Sequence, residues 1–307
     1  MDVQRLTLDP KHVQAPTRDL PSGKSLPNNL PDAKEIKVHP RGANGEENAS
    51  LYFVGTATTI LAPAPSAKAL IYLLIKMQRD HFDQTVEASL RRDLPIITTP
   101  HAKTHLTSKG PQDSFSNVHA LDPFEQMVVD IQSSNTGKKP YIRVTGMPGK
   151  HVPTKPLQKL NDLVQAIPPT NGWMVELGHS QTESSSDFKV GYRIYISGDT
   201  LLVDELKEIP KRYAGQNIDL MLIHLGGTTV PSPSLLPMAV MVTMDAKQGL
   251  QLIQLIKPDL TIPIHYDDYD VFASPLEDFK AEIEKAGLTD RVVYLDRSDR
   301  FRFRVSG

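Results

Sequence analysis

Apolar residues recur along this chain with two different periods. One set forms short runs rich in Val, Ile, Leu and aromatics, bounded by Gly, Pro, Asn or Asp, which is the pattern of strands. These runs fall at residues 51–54, 69–75, 94–98, 127–131, 141–145, 173–177, 190–196, 218–224, 260–264, 292–295 and 301–305. Gly55-Thr56-Ala57 marks a tight turn from the first run into a further strand, and Pro63 and Pro65 break the ladder into a loop. The other set has helical spacing, at residues 83–92, from Pro100 to Leu106, and at 201–209. Asp245 with Gln248 makes a capping-box start for a helix carrying Leu250, Ile253 and Ile256. Ser274-Pro275-Leu276-Glu277 starts another, with Ser as N-cap and Leu276, Phe279, Ile283 and Ala286 along one face. The polar stretches 133–137 and 180–187 each join two strands as hairpins, and residues 107–126 form a polar excursion. Strands alternate with helices while hairpins are mixed in, so the pattern predicts a layered α/β (α+β) sandwich rather than a pure parallel sheet. Residues 1–48 lack periodicity and are expected to be an extended or disordered N-terminal arm, leaving 49–307 as the domain.

Composition narrows the partners. The chain has 307 residues and a net charge of -2, so no basic field is present to hold nucleic acid or an anionic membrane surface. It contains no cysteine, which removes disulfides, thiol nucleophiles and thiolate metal sites; any metal must be held by His and carboxylate. The N-terminus lacks the apolar core of a signal peptide, and Asp2, Asp9 and Asp19 argue against a transit peptide. The longest apolar run, 69–75, is far short of the ~20 residues that span a bilayer. A cytoplasmic protein without membrane insertion is the expectation.

Four of the strands end on metal-competent side chains: Asp80-His81 after residues 69–75, His151 in a Gly- and Pro-rich loop, Asp199 after 190–196, and His265 directly after 260–264. Such endings suggest strands whose C-terminal ends converge on one point, where α/β sheets place their sites. Each residue also has a plainer reading. Asp199 is placed to cap the helix after it, and His265 could be a core histidine bonded to backbone. His151 could be an ordinary loop residue. His101 and His105, one helical turn apart, read as a solvated helix face.

In order, Phe53-Val54-Gly55-Thr56-Ala57-Thr58, Asp80-His81-Phe82-Asp83, the His151 loop, Ser197-Gly198-Asp199-Thr200 and Ile262-Pro263-Ile264-His265 resemble the metallo-β-lactamase fold superfamily. The resemblance is to the branch that includes UlaG-like proteins and the phospholipase-D-type enzymes acting on N-acyl-phosphatidylethanolamine, and it covers roughly residues 50–305. It implies an αββα sandwich of two mixed β-sheets with outer helices, and a site at the edge between the sheets. The chain departs from the signature His-x-His-x-Asp-His, because its two leading positions fall on Lys76 and Gln78. The segment between Gly55 and Asp80 is also shorter than is usual there.

Carried over by position, the second metal site consists of Asp80, His81, Asp199 and His265, with Asp199 as the bridging carboxylate, whereas the first keeps only His151. Such ligands suit Zn²⁺, with Mn²⁺ or Fe also acceptable, and one ion is expected. The implied activity is a metal-dependent hydrolase using a metal-activated water on an ester, amide, lactone or phosphodiester bond. Asp80 would be the catalytic residue that orients that water or receives its proton. His224, ending the buried strand 218–224 toward the same pole, is the candidate for touching substrate. The rival expectation, resting on Lys76 and Gln78, is a degenerate scaffold that keeps the fold and at most binds.

Overall fold

The structure, a computed structural model, describes residues 3–9, 17–18, 31–42, 45–63, 72–73, 84–132, 139–152, 168–180, 188–230, 240–267 and 272–307. The predicted pattern is laid down as a seven-stranded sheet in the order β1 (Gln4–Leu8), β8 (Gln126–Ile131), β9 (Lys139–Met147), β10 (Gly172–Ser180), β11 (Lys189–Ile196), β12 (Leu220–His224), β15 (Leu260–Ile264). A four-stranded sheet runs β2 (Ile36–Val38), β16 (Arg300–Phe303), β3 (Ala49–Gly55), β4 (Thr58–Pro63). A short ribbon pairs β13 (Thr229–Val230) with β14 (Val240–Met241), and both larger sheets are mixed. β8 to β11 are joined antiparallel, as the two hairpin segments predict, while β11, β12 and β15 run parallel. Parallel neighbours need a crossover, and the helix Ala246–Ile256 supplies the one between β12 and β15.

Alternation along the central strands explains the layering. Trp173, Val175, Leu177, Ile194, Leu222 and Ile262 face one way, into a core shared with Leu51, Phe53, Phe301 and Phe303 of the four-stranded sheet. Their neighbours Met174, Tyr195, Met221 and Ile223 face the other way, onto Leu252, Ile253 and Ile256 of the helix Ala246–Ile256 and onto Phe279 and Ile283 of Leu276–Lys285. Each such side chain contributes about 1.5–3 kcal/mol of burial, so a slip of one residue in these strands would forfeit both cores at once. The result is the expected sandwich of two mixed sheets with outer helices.

The structure departs from the sequence expectation in several places. β5 (Tyr72–Leu73), β6 (Ile96–Thr98) and β7 (Val118–Ala120) form a separate parallel sheet, and β7 lies within the stretch expected to be only polar. This sheet has its own small core of Leu90, Leu94, Ile96, Ala102, Leu106, Phe115 and Val118. Two stretches of the N-terminal arm are strands, β1 parallel to β8 and β2 parallel to β16, each at a sheet edge. Pro63 does not end the ladder early; it pairs with Ala49 at the last position of edge strand β4, a place where sheets tolerate proline. Val292 makes only an isolated bridge to Thr261, so residues 292–295 are not a strand. Among the described residues no helix is long and apolar enough to cross a membrane.

Candidate metal centre

The C-terminal ends of the parallel strands deliver the candidate side chains. Asp199 lies three residues beyond β11, after Gly198 (φ +64), and is fully buried. His265 follows β15 directly and is equally buried, and His151 follows β9 by four residues and is 4% exposed. The structure brings these three together. Asp199 Oδ2 is 3.5 Å from His265 Nε2 and 3.9 Å from His151 Nε2.

The imidazoles are oriented from behind. His151 Nδ1 lies 2.7 Å from the Val242 carbonyl, and His265 Nδ1 lies 3.1 Å from the Leu225 carbonyl. A carbonyl can only accept, so each Nδ1 carries a proton and each ring directs its Nε2 at the Asp199 carboxylate. Two imidazole nitrogens and a carboxylate oxygen facing one another are the donor types a divalent cation takes. Donors on one Zn²⁺ at 2.0–2.2 Å are about 2.9–3.4 Å apart, so the His265 separation is nearly right and the His151 one slightly open. The backbone carbonyl behind each Nδ1 is also the partner that metal-bound histidines use. The donor chemistry therefore fits a divalent cation. The trio is not a complete cage, since among the described residues no three His, Asp or Glu side chains are arranged to hold an ion. Asp80 and His81, and with them Lys76 and Gln78, lie outside the described residues.

Local backbone explains how these positions are held. The Lys150 N–H donates to Thr200 Oγ1 (2.9 Å), and Leu201 N–H donates to the Lys150 carbonyl (2.8 Å), which ties the His151 loop to the Asp199 loop. The Asp199 side chain does not cap the next helix as it could have done. That segment opens with a 3-10 turn at Asp204–Lys207 whose N-cap position is Val203. Ser274 likewise does not cap its own helix; Pro275 occupies the N-cap, and Ser274 Oγ accepts from Ala246 N–H (3.2 Å), the first residue of the other helix. Asp245 does cap as expected, accepting from Gln248 N–H at 2.9 Å.

His265 is left-handed, at φ +63, and its N–H donates to the Thr56 carbonyl at 2.7 Å; Thr56 itself sits at φ +48 in the β3–β4 turn. The sequence carries no signal for this contact, because a backbone carbonyl is the same in every residue. Phe272, also unanticipated, meets the His265 ring edge-on at 5.0 Å. His224 ends β12 fully buried, with its ring centroid 5.6 Å from that of His265 and its N–H donating to Ser197 Oγ (2.9 Å). Burial, with Asp267 next in weight, pushes the neighbouring Tyr266 phenol up to about 12. It stays neutral at ordinary pH.

A buried site at the strand ends of a two-sheet sandwich with outer helices is the architecture of the metallo-β-lactamase fold. The sequence pattern of the Beta-lactamase superfamily domain matches residues 48–266, and the chain belongs to that family. It is 23% identical to a UPF0173 metal-dependent hydrolase of Archaeoglobus fulgidus, over 77% of this chain and 83% of that one. It is 33% identical to the UPF0173 metal-dependent hydrolase of Methanopyrus kandleri, over 87 residues that make up 28% of this chain and only 37% of the relative. Among solved structures, isothiocyanate hydrolase from Delia radicum gut bacteria shares the fold with a TM-score of 0.57 and 14% identity, covering 82% of this chain and 98% of that one. Igni18, a metallo hydrolase of Ignicoccus hospitalis, does so at 0.54 and 18%, covering 84% and 99%.

Proposed function

We propose that the chain is a metal-dependent hydrolase acting on an ester, amide, lactone or phosphodiester bond of a small molecule in the cytoplasm, through one Zn²⁺ (or Mn²⁺ or Fe) held by Asp80, His81, Asp199 and His265, with His151 beside it. The observation that carries this reading is the pair of Nδ1-to-carbonyl bonds that turn the Nε2 atoms of His151 and His265 onto one buried Asp199 oxygen. The relatives named metal-dependent hydrolases support it. When bound, a divalent ion supplies Lewis acidity and lowers the pKa of water toward about 7. The chain's own groups do the rest. His151 and His265 are preset by their carbonyl partners, Asp80 receives the proton, and His224 donates to or accepts from substrate at the inner wall. A second reading has its own observation. Lys76 and Gln78 stand where the family signature has its leading histidines, which leaves a scaffold that binds but does not turn over.

Metal content of the full chain, purified without added metal, separates the two, together with hydrolysis of ester, lactone and phosphodiester probes. About one equivalent with metal-dependent turnover supports the hydrolase. No metal and no turnover after reloading supports the scaffold. Two equivalents that persist in His105→Ala would show that the Lys76/Gln78 side also binds.

A further inference from the structure

A second pair of histidines stands outside this centre. The helix Pro100–Thr107 begins with Thr99 accepting from Ala102 N–H at 3.2 Å and with Pro at its first position, and it is anchored by the buried Ala102 and Leu106. That anchoring leaves His101 half-buried and His105 exposed on one flank, a turn apart. Their Nε2 atoms are 3.2 Å apart, and their ring centroids 4.5 Å.

We propose that His101 and His105 form a two-imidazole site for a first-row divalent ion, separate from the centre at Asp199. Two nitrogens on one ion at 2.0–2.1 Å are about 2.9 Å apart at a right angle and about 3.4 Å apart at the tetrahedral angle. The observed separation lies between these, so neither side chain has to move far. Imidazole donors suit Cu²⁺, Ni²⁺ and Zn²⁺, with Cu²⁺ tightest in that series. Burial, and next the charge of His105, lower the pKa of His101, which favours the ligating neutral ring. In the metal-free chain one Nε2–H donates to the other ring, and metal displaces that proton. For His101 the proton moves to Nδ1, a buried atom with no hydrogen-bond partner. This cost holds the site to the affinity of a two-ligand chelate, with water completing the coordination.

Cu²⁺ added to the full chain, followed by calorimetry and electron paramagnetic resonance, tests this in wild type, His105→Ala and Asp199→Asn. Because His105 is exposed, its replacement leaves the fold intact, as circular dichroism would verify. Asp199→Asn should take up one Cu²⁺ with couplings from two imidazole nitrogens, wild type that ion beside any held at the Asp199 centre, and His105→Ala should bind it at least about 100-fold more weakly. An unchanged Cu²⁺ stoichiometry and spectrum in His105→Ala would overturn the proposal and leave the pair as a hydrogen bond between rings. Loss of the signal in Asp199→Asn alone would overturn it too, by assigning the copper to the other centre.

Discussion

Asp199→Asn tests the metal centre most directly, because it removes a charge while keeping shape. The side chain is fully buried, with Oδ2 3.5 Å from one imidazole nitrogen and 3.9 Å from another. The neutral amide offers one carbonyl oxygen and two N–H donors, and those donors do not suit a cation. A ligand that binds only the folded chain stabilises it by about 2.7 kcal/mol at a hundredfold excess over Kd. In a domain of this size that corresponds to a rise in Tm of roughly 4–5 °C. Wild type should show that rise when Zn²⁺ replaces chelator in a thermal melt, and Asp199→Asn should show almost none. The melting temperatures of the two proteins in chelator provide the control for a merely structural effect. An Asp199→Asn protein that keeps the full Zn²⁺-dependent shift would refute the placement of the ion on Asp199, whatever the activity.

Four further outcomes follow from the same structure. Gly226 sits at φ +100, and a Cβ there would lie 2.5 Å from Phe272 Cδ1 and 2.7 Å from the His265 carbonyl, so Gly226→Ala should cost about 1–3 kcal/mol in denaturant unfolding and weaken metal binding with it. Glu176, fully buried, accepts from Arg143 Nε (2.5 Å) and Arg193 Nε (2.8 Å); Glu176→Ala removes the carboxylate both share, while Arg193 keeps its bonds to Asn217 and Gln216, and should cost about 2–3 kcal/mol by the same assay. Asp245→Ala removes the cap on the helix Ala246–Ile256 and should cost about 1 kcal/mol, with metal content unchanged. Burial, and next the Arg41 guanidinium, hold the His39 imidazole below its ordinary value. The unfolded chain therefore takes up that proton first as pH falls below about 6.5, so this contribution is present above that pH and is lost through the acid range; His39→Gln should flatten the fall in stability.

Much of the fold was legible because burial writes its period into the chain. Residues 260–264 read as a strand and are β15, and the hairpins around 133–137 and 180–187 pair as β8 with β9 and β10 with β11. Asp245 reads as a cap and is one. The failures share a cause. Ser274 has the right neighbours for a local cap, yet its hydroxyl serves a helix that starts 28 positions earlier. Asp199 has a helix ahead of it but faces two histidines instead. β7 and the edge strands β1 and β2 are short and only partly apolar, so their pairing rests on partners supplied from elsewhere in the chain.

The order of residues was enough to establish strand-ending His and Asp side chains, a metal without thiolates, and a family resemblance that the domain match bears out. Those follow from residue type and period, which are local. Which ring nitrogen carries a proton, and what it faces, was decided only by folding: Val242 and Leu225 present carbonyls to His151 and His265, and Thr56 holds the His265 backbone in a left-handed turn. Carbonyls carry no residue identity, so their placement is set by packing between distant strands, and it is that placement which aims the imidazoles at Asp199.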